Sequence, residues 1–533
     1  MTKEKATFSG IPVKAVYDPR DTEDISFESD IGEPGQYPFT RGIYQQMYRH
    51  TPWVVMSAGG FDSAEDTRKR MEFYHEIGVE HYQGKANVDL YVDLPTHYGL
   101  DSDNPSIYYE IGKQGVHINT INDMQALLEG FALDDTHVGF ITFGSAPMLF
   151  AMYIGVAENQ GVPLEKLFGA MNNNPLAGPA GENCLIFPPR PHLGLMLDAV
   201  EFCIRHVPNF RPLTISTYDM RETGITAVQE LAFGFSQGID ILKGAEKRGI
   251  KVDDMAANMN FHIQLGSHFF EEIAKIRAAR RMWAKIVREQ FGAENPKAWS
   301  MKTLAQTAGS SLQRKEPLNN IARAVVQALV GVFGGVQTLY LCSYDEAYSV
   351  PTQEAAKIAI RAQQIICEET GIPDVADPLG GSYYLEWLTN KMEEKAWDLI
   401  KKIEEKGGYL TAHESGFIMD ETTALAFKTE QAINSGEKCI VGVNKHVVDE
   451  DAPFEQFFRF SPETPARAVE NIKRIKQQRN QEEVQKALTR LLEALQNGKS
   501  TTRPMIEAFK VYATLGEVVD TCKECLGIHI PRS

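Results

Sequence analysis

The sequence lacks the features that mark several large protein classes. Its seven cysteines among 533 residues are too few and too irregularly spaced for a disulfide framework. It has no long basic run, and its formal net charge of -17 offers no phosphate-neutralising surface for nucleic acid. No apolar stretch approaches the roughly 20 residues that span a bilayer, and the start, MTKEKATFSG, lacks a signal-peptide apolar core. We therefore expect a cytoplasmic protein that binds neither nucleic acid nor a membrane.

Standard cofactor and metal motifs are missing as well. The sequence has no glycine-rich dinucleotide fingerprint opening a helix after a strand, no P-loop and no HExxH. Cys522 and Cys525 form a CxxC pattern, but no second pair or suitably spaced histidine completes a metal site. We expect these two residues to be reduced thiols on a terminal helix, and we expect no metal centre.

The sequence contains enough apolar residues for a large hydrophobic core, with 43% hydrophobic and 10% aromatic residues. Between residues 53 and 346, short β-rich runs alternate with longer helical patterns such as His268–Phe291, which is typical of βα units around a parallel sheet. About eight β-rich runs occur, and this number predicts a TIM (β/α)8 barrel in an α/β protein. The predicted strands are Val54–Ser57, Val88–Val92, Val138–Phe143, Lys166–Met171, Leu213–Tyr218, Met255–Phe261, Met301–Ala305 and Val336–Cys342.

The composition changes on both sides of the predicted barrel. Residues 1–52 are rich in Gly, Pro and Asp and are predicted to form an extended N-terminal arm. The barrel is predicted to occupy residues 53–397. Residues 398–533 carry charged helical patterns and are predicted to form a helical extension.

The ends of the predicted strands are unusually polar. In a TIM barrel the active site lies at the carboxyl ends of the strands, while branched apolar side chains usually fill the axis. Small and hydrophilic residues at so many strand ends favour an axis that is open to a long ligand, although they indicate no reaction. These residues are Ser57 to Gly60, Asn172 to Asn174, Asp219, Asn260 with His262, Gln306 to Ser311, and Cys342 with Ser343.

Many longer motifs occur in one order along the chain, and together they resemble the methylmalonyl-CoA mutase family from residue 37 nearly to the C-terminus. The matching segments are Tyr37 to Gly42, Gly59 to Phe61, Asp93 to His97, Asp101 to Pro105, Ile186 to Pro189, Ile276 to Arg280, Trp283 to Lys285, Gln306 with Thr307 and Gly309, Asp345 to Ala347, Asp377 with Pro378, Gly381 with Ser382, Gly442 to Lys445, and Thr514 to Glu517. Chance does not arrange so many segments in one order.

The resemblance implies both a substrate and a reaction. It implies a barrel axis lined by small polar residues, through which the pantetheine arm of coenzyme A threads. It also implies a radical 1,2-migration of the thioester group, which adenosylcobalamin initiates in a site that excludes water.

The resemblance also implies roles for residues that face the cofactor. Glu222 is expected to approach the adenosyl ribose and Glu346 the corrin, with Gln337 in the loop on the corrin side. Gly60 matches a glycine that lets the backbone come close to the adenosyl group. Gln306 matches a glutamine of the acyl pocket.

Three substrate-binding positions of the family differ in this chain. Where methylmalonyl-CoA mutases use an arginine and a tyrosine to hold the substrate carboxylate, this sequence has Glu182 and Ala58. Where they use a histidine to hydrogen-bond the thioester carbonyl, it has Asp219. His262, which replaces an aromatic residue of the family, is expected to compensate for the lost histidine.

These departures predict a different acyl group. Two ionised acids would repel the carboxylate of methylmalonyl-CoA by several kcal/mol, so we expect an amino- or hydroxy-substituted acyl-CoA. Alternatively, one acid is protonated and donates to the thioester carbonyl. Ala58, in place of an aromatic residue, is expected to leave room for a bulkier acyl group, and Asn172 and Asn260 are expected to line the acyl pocket. The alternative substrates are those of isobutyryl-CoA and 2-hydroxyisobutyryl-CoA mutases, whose pattern keeps the histidine.

The family's cobalamin-binding motif, D-x-H-x-x-G, does not occur in the sequence. We therefore expect a separate small subunit to bind adenosylcobalamin, in a heterotetramer that a G-protein chaperone serves.

 

The competing hypothesis, from a different functional class, is a non-catalytic scaffold subunit of a mutase complex. Some barrel chains of the family's heterodimers bind no cofactor. The presence of Gly60, Glu222, Gln306 and Glu346 at the positions that face the cofactor and the acyl group favours the catalytic hypothesis.

Overall fold

The computed structural model describes residues 5–81, 84–177, 185–448 and 454–530. The chain divides into two compact units, each discontinuous in sequence. The first unit comprises Met1–Val55 and Ile215–Phe457, and the second comprises Met56–Thr214 and Phe458–Ser533. The predicted division into an N-terminal arm at residues 1–52, a barrel at residues 53–397 and a helical extension at residues 398–533 stays a prediction.

The first unit carries a five-stranded sheet. Its three central strands pair in parallel, with His262 opposite Leu304 and Gln306 opposite Tyr340. Each strand is followed along the chain by a helix, so the carboxyl ends of the strands meet at one edge. In spatial order the strands are Leu213–Ser216, Met259–Leu265, Thr303–Thr307, Thr338–Tyr340 and Val54–Met56. A short antiparallel pair, Lys5–Ala6 with Pro12–Val13, lies near the N-terminus.

The second unit carries a six-stranded sheet. Five of its strands pair in parallel, and the sixth, Glu80–His81, pairs antiparallel with Lys85–Tyr91. In spatial order the parallel strands are Ala58–Gly59, Lys85–Tyr91, Thr136–Ile141, Phe168–Met171 and Asn209–Arg211. The predicted α/β fold of the TIM-barrel type is confirmed in its parallel strands and intervening helices. Pairing that closes a barrel is not detected among the described residues.

One predicted strand was placed wrongly. The sequence analysis put a strand at Met255–Phe261, but Val252–Ala257 is a helix and the strand runs from Met259 to Leu265. Asp253 and Asp254 in the first turn of the helix stabilise it, because acidic side chains interact favourably with a helix N-terminus. The strand therefore ends four residues later than predicted.

The helices of the first unit surround one that is almost entirely buried. This helix, Phe269–Lys285, confirms most of the predicted helix His268–Phe291, and a wider helical turn at Ile286–Gln290 follows it. The other α-helices of the unit are Tyr218–Glu222, Ala227–Lys247, Val252–Ala257, Pro296–Trp299, Asn319–Gly334, Gln353–Glu369, Tyr383–Glu405, Tyr409–Glu414 and Phe417–Asn434.

The α-helices of the second unit come from both of its chain segments. Those of the first segment are Ala64–Glu76, Leu94–His97, Ile121–Leu128, Ala146–Asn159 and Pro189–His206. Those of the second segment are Thr464–Gln478, Gln481–Gln496, Thr502–Lys510 and Leu515–Leu526. The last of these begins at Thr514, which forms a capping box with Glu517, and it carries both cysteines of the CxxC pattern. In the part of the chain that the structure describes, no helix is long and apolar enough to cross a membrane.

Candidate active site

Polar side chains of the first unit meet at the carboxyl ends of four neighbouring strands. We call this group the polar cluster. Each member lies on one of these strands or within six residues of its end, so parallel pairing brings them together from distant parts of the sequence. The members are Ser216, Asp219, Glu222, His262, Gln264, Gln306, Cys342 and Glu346.

His262 occupies the buried centre of the polar cluster. Its Nδ1 atom lies 3.2 Å from the hydroxyl of Ser216, and its Nε2 atom lies 3.2 Å from Oε1 of Gln306. The ring of Tyr218 stacks on the imidazole at a centroid distance of 5.0 Å. Burial lowers the pKa of His262 to about 4, so the imidazole is neutral near neutral pH. With both nitrogens engaged, His262 is suited to position its neighbours.

Asp219 lies in the first turn of the short helix Tyr218–Glu222. Its Oδ2 atom is 3.1 Å from the hydroxyl of Ser216. Asp219 is partly exposed, whereas His262 is only 3% exposed. The carboxyl group of Asp219 is therefore more accessible to a ligand than the imidazole behind it.

Gln306 and Cys342 extend the polar cluster across the next two strands. The amide Nε2 of Gln306 donates to Sγ of Cys342 at 3.7 Å, and that thiol donates to the carbonyl of Thr307 at 3.0 Å. The backbone N–H of Cys342 donates to Oγ1 of Thr307 at 2.8 Å. These bonds hold the Gln306 amide in a fixed orientation.

Two glutamates form the other side of the polar cluster. Glu222 accepts hydrogen bonds from the side chain of Gln264 and, at 2.6 Å, from the backbone N–H of Ser310. Burial is the largest cause that raises the pKa of Glu222. Burial, with a smaller contribution from the charge of the nearby Glu222, raises the pKa of Glu346 to about 7. In the described residues, Oε2 of Glu346 has no hydrogen-bond partner.

A glycine leaves space between these carboxyl groups. A Cβ atom at Gly309 would lie 3.1 Å from Oε1 of Glu346, 3.2 Å from the hydroxyl of Tyr218 and 3.3 Å from Oε2 of Glu222. Three oxygens thus converge on a position where any side chain would be tight. This cradle is suited to hydrogen-bond a ligand that is rich in hydroxyl groups.

Buried charges fix the strand that bears His262 and Gln264. Lys275 lies 2.7 Å from Glu230 and 2.6 Å from Glu272, and Arg221 lies 2.6 Å from Glu272. Glu230 also accepts the backbone N–H of Gln264 at 2.9 Å. We call Arg221, Glu230, Glu272 and Lys275 the buried ion cluster. It ties the helices behind the sheet to the strand end where Gln264 meets Glu222.

The remaining predicted site residues of the first unit, Asn260 and Gln337, are not members of the polar cluster. Asn260 stands near the amino end of its strand, on the same face as His262. Gln337 precedes the strand Thr338–Tyr340, where its Oε1 accepts from the N–H of Thr303 at 3.0 Å and its Nε2 donates to the carbonyl of Gly335 at 2.9 Å. The structure therefore places Gln337 at the opposite end of that strand from Glu346.

Three of the predicted site residues that the structure describes belong to the second unit. Ala58 is buried on the strand Ala58–Gly59, and Asn172 is buried just after the strand Phe168–Met171. A Cβ atom at Gly60 would lie 1.9 Å from the carbonyl oxygen of Tyr91. The close approach of the chain's own backbone thus requires glycine at this position, whatever ligand it faces.

Glu182 lies outside the described residues, and its predicted role stays a prediction. Sequence reasoning missed Gln264, the partner of Glu222, because the strand was placed four residues too early. The period-two alternation of Asn260, His262 and Gln264 with apolar neighbours was the signal that could have found it.

Comparisons with known proteins give one consistent result. The model of the family described as methylmalonyl-CoA mutase matches residues 6–528. The 2-hydroxyisobutanoyl-CoA mutase large subunit of Aquincola tertiaricarbonis is 36% identical over 524 residues, which cover 98% of this chain and 92% of that protein. Human mitochondrial methylmalonyl-CoA mutase is also 36% identical over 524 residues, covering 98% of this chain and 68% of that protein. For the methylmalonyl-CoA mutase of Rhizobium meliloti, 36% identity extends over 522 residues and 72% of its length.

Proposed function

The chain belongs to the methylmalonyl-CoA mutase family, and on this premise we propose that it is the catalytic large subunit of an adenosylcobalamin-dependent acyl-CoA mutase. Members of the family are isomerases that rearrange acyl-CoA thioesters with this cofactor. The observation that carries the proposal is the polar cluster, which gathers acids and amides at the strand ends where a TIM-barrel enzyme has its active site.

The cradle around Gly309 fits the polar parts of adenosylcobalamin. Glu222 and Glu346 would hold it, because carboxyl oxygens accept hydrogen bonds from ribose hydroxyls and from corrin amides. The oxygen of Glu346 that lacks a partner among the described residues supports this assignment. When bound, the cofactor supplies the radical chemistry that starts the rearrangement.

The chain's own residues bind and orient the acyl group and exclude water. Gln306, on the strand Thr303–Thr307, and Asp219, on the short helix that follows the strand Leu213–Ser216, face it. His262, on the strand between these two strands, fixes both through hydrogen bonds, directly to Gln306 and through Ser216 to Asp219. Most of the polar cluster is buried, so few waters compete for these bonds.

The test of this function is reconstitution. The chain is mixed with a small cobalamin-binding subunit and adenosylcobalamin, and a panel of acyl-CoA thioesters is screened for isomerised product and for a radical signal by electron paramagnetic resonance. The proposal predicts both signals with at least one thioester. A complex that forms but gives neither signal with any thioester would favour the scaffold hypothesis.

The partner proposal rests on one comparison. The chain resembles a protein named as a large subunit over 92% of that protein's length. We therefore propose that a separate small subunit brings the cobalamin. A heterotetramer, a G-protein chaperone and a cytoplasmic location remain predictions.

The isolated chain is expected not to retain cobalamin, because it has no histidine motif to supply the lower ligand of the cobalt. Gel filtration after incubation with adenosylcobalamin, followed by an absorbance spectrum of the protein peak, checks this. Addition of the small subunit serves as the positive control and should make the cofactor elute with the complex. Stoichiometric retention by the chain alone would contradict the two-subunit proposal.

The substrate is proposed to be an amino- or hydroxy-substituted acyl-CoA. Asp219 and Glu182 replace the groups that hold methylmalonyl-CoA in its mutases, and Ala58 replaces a bulkier aromatic residue of the family. The resemblance to a mutase named for 2-hydroxyisobutanoyl-CoA supports the hydroxyl-bearing class. Simple branched acyl-CoA esters, as in isobutyryl-CoA mutases, are the alternative.

Replacement of Glu182 by Gln tests charge selection. If Glu182 faces the acyl group, the loss of a charge-assisted hydrogen bond should lower activity on the true substrate by at least roughly tenfold and relax discrimination against plain branched esters. Steady-state kinetics on matched pairs of thioesters measures both effects. The exposed Glu110, changed to Gln, is the control. Unchanged rate and selectivity would place Glu182 outside the pocket.

A further inference from the structure

One row of residues across the parallel sheet of the second unit carries a buried carboxyl group between very small side chains. Residues that pair in register across parallel strands point to the same face of a sheet. The strand pairing places Ala58 on one side of Asp89 and Gly139 on the other. Ala170 follows Gly139 on the next strand. Asp89 therefore has a methyl group on one side and only a hydrogen atom on the other.

This row lies on the face of the sheet that points away from the helix Ala146–Asn159. The ring of Phe140, one residue after Gly139, contacts that helix. Because side chains alternate between the two faces along a strand, Gly139 and its neighbour Asp89 face the other side. Asp89 is 5% exposed, whereas Ala170 in the same row is partly exposed, so the row reaches solvent at one end.

The carboxyl group of Asp89 lies directly over Gly139. A Cβ atom at Gly139 would lie 1.8 Å from Oδ1 of Asp89, so a larger residue there would displace the carboxyl group. Oδ2 of Asp89 accepts a hydrogen bond from Nδ2 of Asn87 at 2.7 Å, while Oδ1 lies 3.6 Å from Nδ1 of His137, beyond hydrogen-bond distance. Oδ1 of Asn87 is buried and has no hydrogen-bond partner among the described residues. Acceptor oxygens are thus held ready beside the small residues of the row.

The fold gains little from this carboxyl group. Burial raises the pKa of Asp89 to about 7. His137 brings no positive charge near neutral pH, because burial lowers its pKa to about 4. Asp93, which follows the same strand, shows what a structural aspartate looks like: its two oxygens accept from the backbone N–H groups of Thr96 at 2.9 Å and Gly112 at 2.8 Å. An ionised Asp89 is costly to bury by comparison.

We propose that Asp89 is a specificity-determining residue that accepts a hydrogen bond from a hydroxyl or ammonium group on the acyl portion of the substrate. Its direct neighbour in the sheet, Ala58, replaces the aromatic residue that binds the acyl group in methylmalonyl-CoA mutases. A plain branched acyl group offers the buried carboxyl no donor and is bound more weakly for that reason. The inference rests on the proposed function and narrows its substrate class to acyl groups that carry a hydrogen-bond donor.

Calorimetry on the complex with the small subunit tests this contact with 2-hydroxyisobutyryl-CoA, 2-aminoisobutyryl-CoA and isobutyryl-CoA. Wild type should bind at least one of the two donor-bearing thioesters roughly tenfold more tightly than isobutyryl-CoA, the equivalent of one hydrogen bond to a charged group. Asp89→Ala should remove this preference and leave the affinity for isobutyryl-CoA within about threefold of wild type. The control is Asp520→Asn, whose side chain is 72% exposed in the same unit, and it should keep the preference.

Three results would overturn the proposal: no preference in wild type, a preference that Asp89→Ala retains, or an equal loss in Asp89→Ala for all three thioesters and for free coenzyme A. The last result would assign the carboxyl group to an amide N–H of the pantetheine arm. A complex that shows the expected preference but isomerises no thioester would refute the proposed mutase function and leave the contact standing.

Thermal unfolding of the chain at pH 8 separates a ligand contact from a structural one without any ligand. Asp89→Asn keeps the shape of the side chain and removes a buried charge, so its Tm should equal or exceed that of wild type. Asp93→Asn should lower the Tm, because an amide has one acceptor oxygen for two backbone N–H donors. A loss of Tm in Asp89→Asn as large as that in Asp93→Asn would show that Asp89 serves the fold, and would overturn the proposal.

Discussion

Replacement of Asp219 by Ala is expected to lower the turnover of the reconstituted mutase by roughly tenfold to a hundredfold, the equivalent of one well-placed hydrogen bond in a buried site. Asp219 is a partly exposed carboxyl group in the polar cluster, held by Ser216 at 3.1 Å. Its removal should affect the acyl portion of the substrate and not the coenzyme A portion. We therefore expect kcat to fall far more than the affinity for free coenzyme A, measured as a competitive inhibitor.

Asp254→Ala is the matched control, because Asp254 is an exposed aspartate on a different helix of the same unit. It should leave both kinetic parameters unchanged. An unchanged turnover in Asp219→Ala would remove Asp219 from the site. A parallel loss of turnover and of coenzyme A affinity would instead indicate that the strand ends had rearranged.

The alternation of strands and helices was predictable because burial on both faces of a parallel sheet leaves a strong apolar signal in each strand. The run from Val138 is an example, since Thr136–Ile141 is a strand whose Val138, Gly139 and Phe140 are buried. The exact ends of strands were less predictable. The Met259–Leu265 strand follows a helix that is itself apolar, and composition alone did not separate the two.

Residue identity was enough to single out some members of the polar cluster, and packing determined which other side chains join them. Glu222, Gln306 and Glu346 were inferred from motifs, and the structure places them around one cluster. The hydrogen bonds through Ser216 and Cys342 could not be read from the sequence, because they depend on which side chains face each other across parallel strands. Gln337 was also inferred from the resemblance, but its amide forms hydrogen bonds with Thr303 and Gly335 at the opposite end of its strand.

The sequence analysis did not predict the buried ion cluster, although two of its members hydrogen-bond the backbone of Gln264 in the polar cluster. The spacing of Glu272 and Lys275 is that of an ordinary solvent-exposed helical pair. In the structure both side chains are fully buried, and each contacts a charged group on another element, Lys275 contacting Glu230 and Glu272 contacting Arg221. The two basic groups hold the pKa of Glu272 well below its usual range, despite burial that would raise it.

Replacement of Lys275 by Ala is expected to lower the free energy of unfolding by about 3–5 kcal/mol, because it leaves buried carboxylates without enough positive charge. Lys275 lies 2.7 Å from Glu230 and 2.6 Å from Glu272, and it also donates to the carbonyl of Gln264. Denaturant unfolding followed by circular dichroism measures the change. Because Gln264 holds Glu222, mutase activity should also fall in the fraction of the protein that remains folded.

The control for this change is Lys243→Ala, which removes a lysine of the same unit that pairs with Glu404 at 2.8 Å on the surface. Side chains there are 45% and 36% exposed, so water already screens the pair and its loss should cost at most about 1 kcal/mol. A similar cost for both variants would show that the buried cluster adds no more stability than a surface pair. A large difference would mean that the strand end bearing Gln264 depends on charges buried behind the sheet, where Arg221 alone would remain to balance the carboxylates of Glu230 and Glu272.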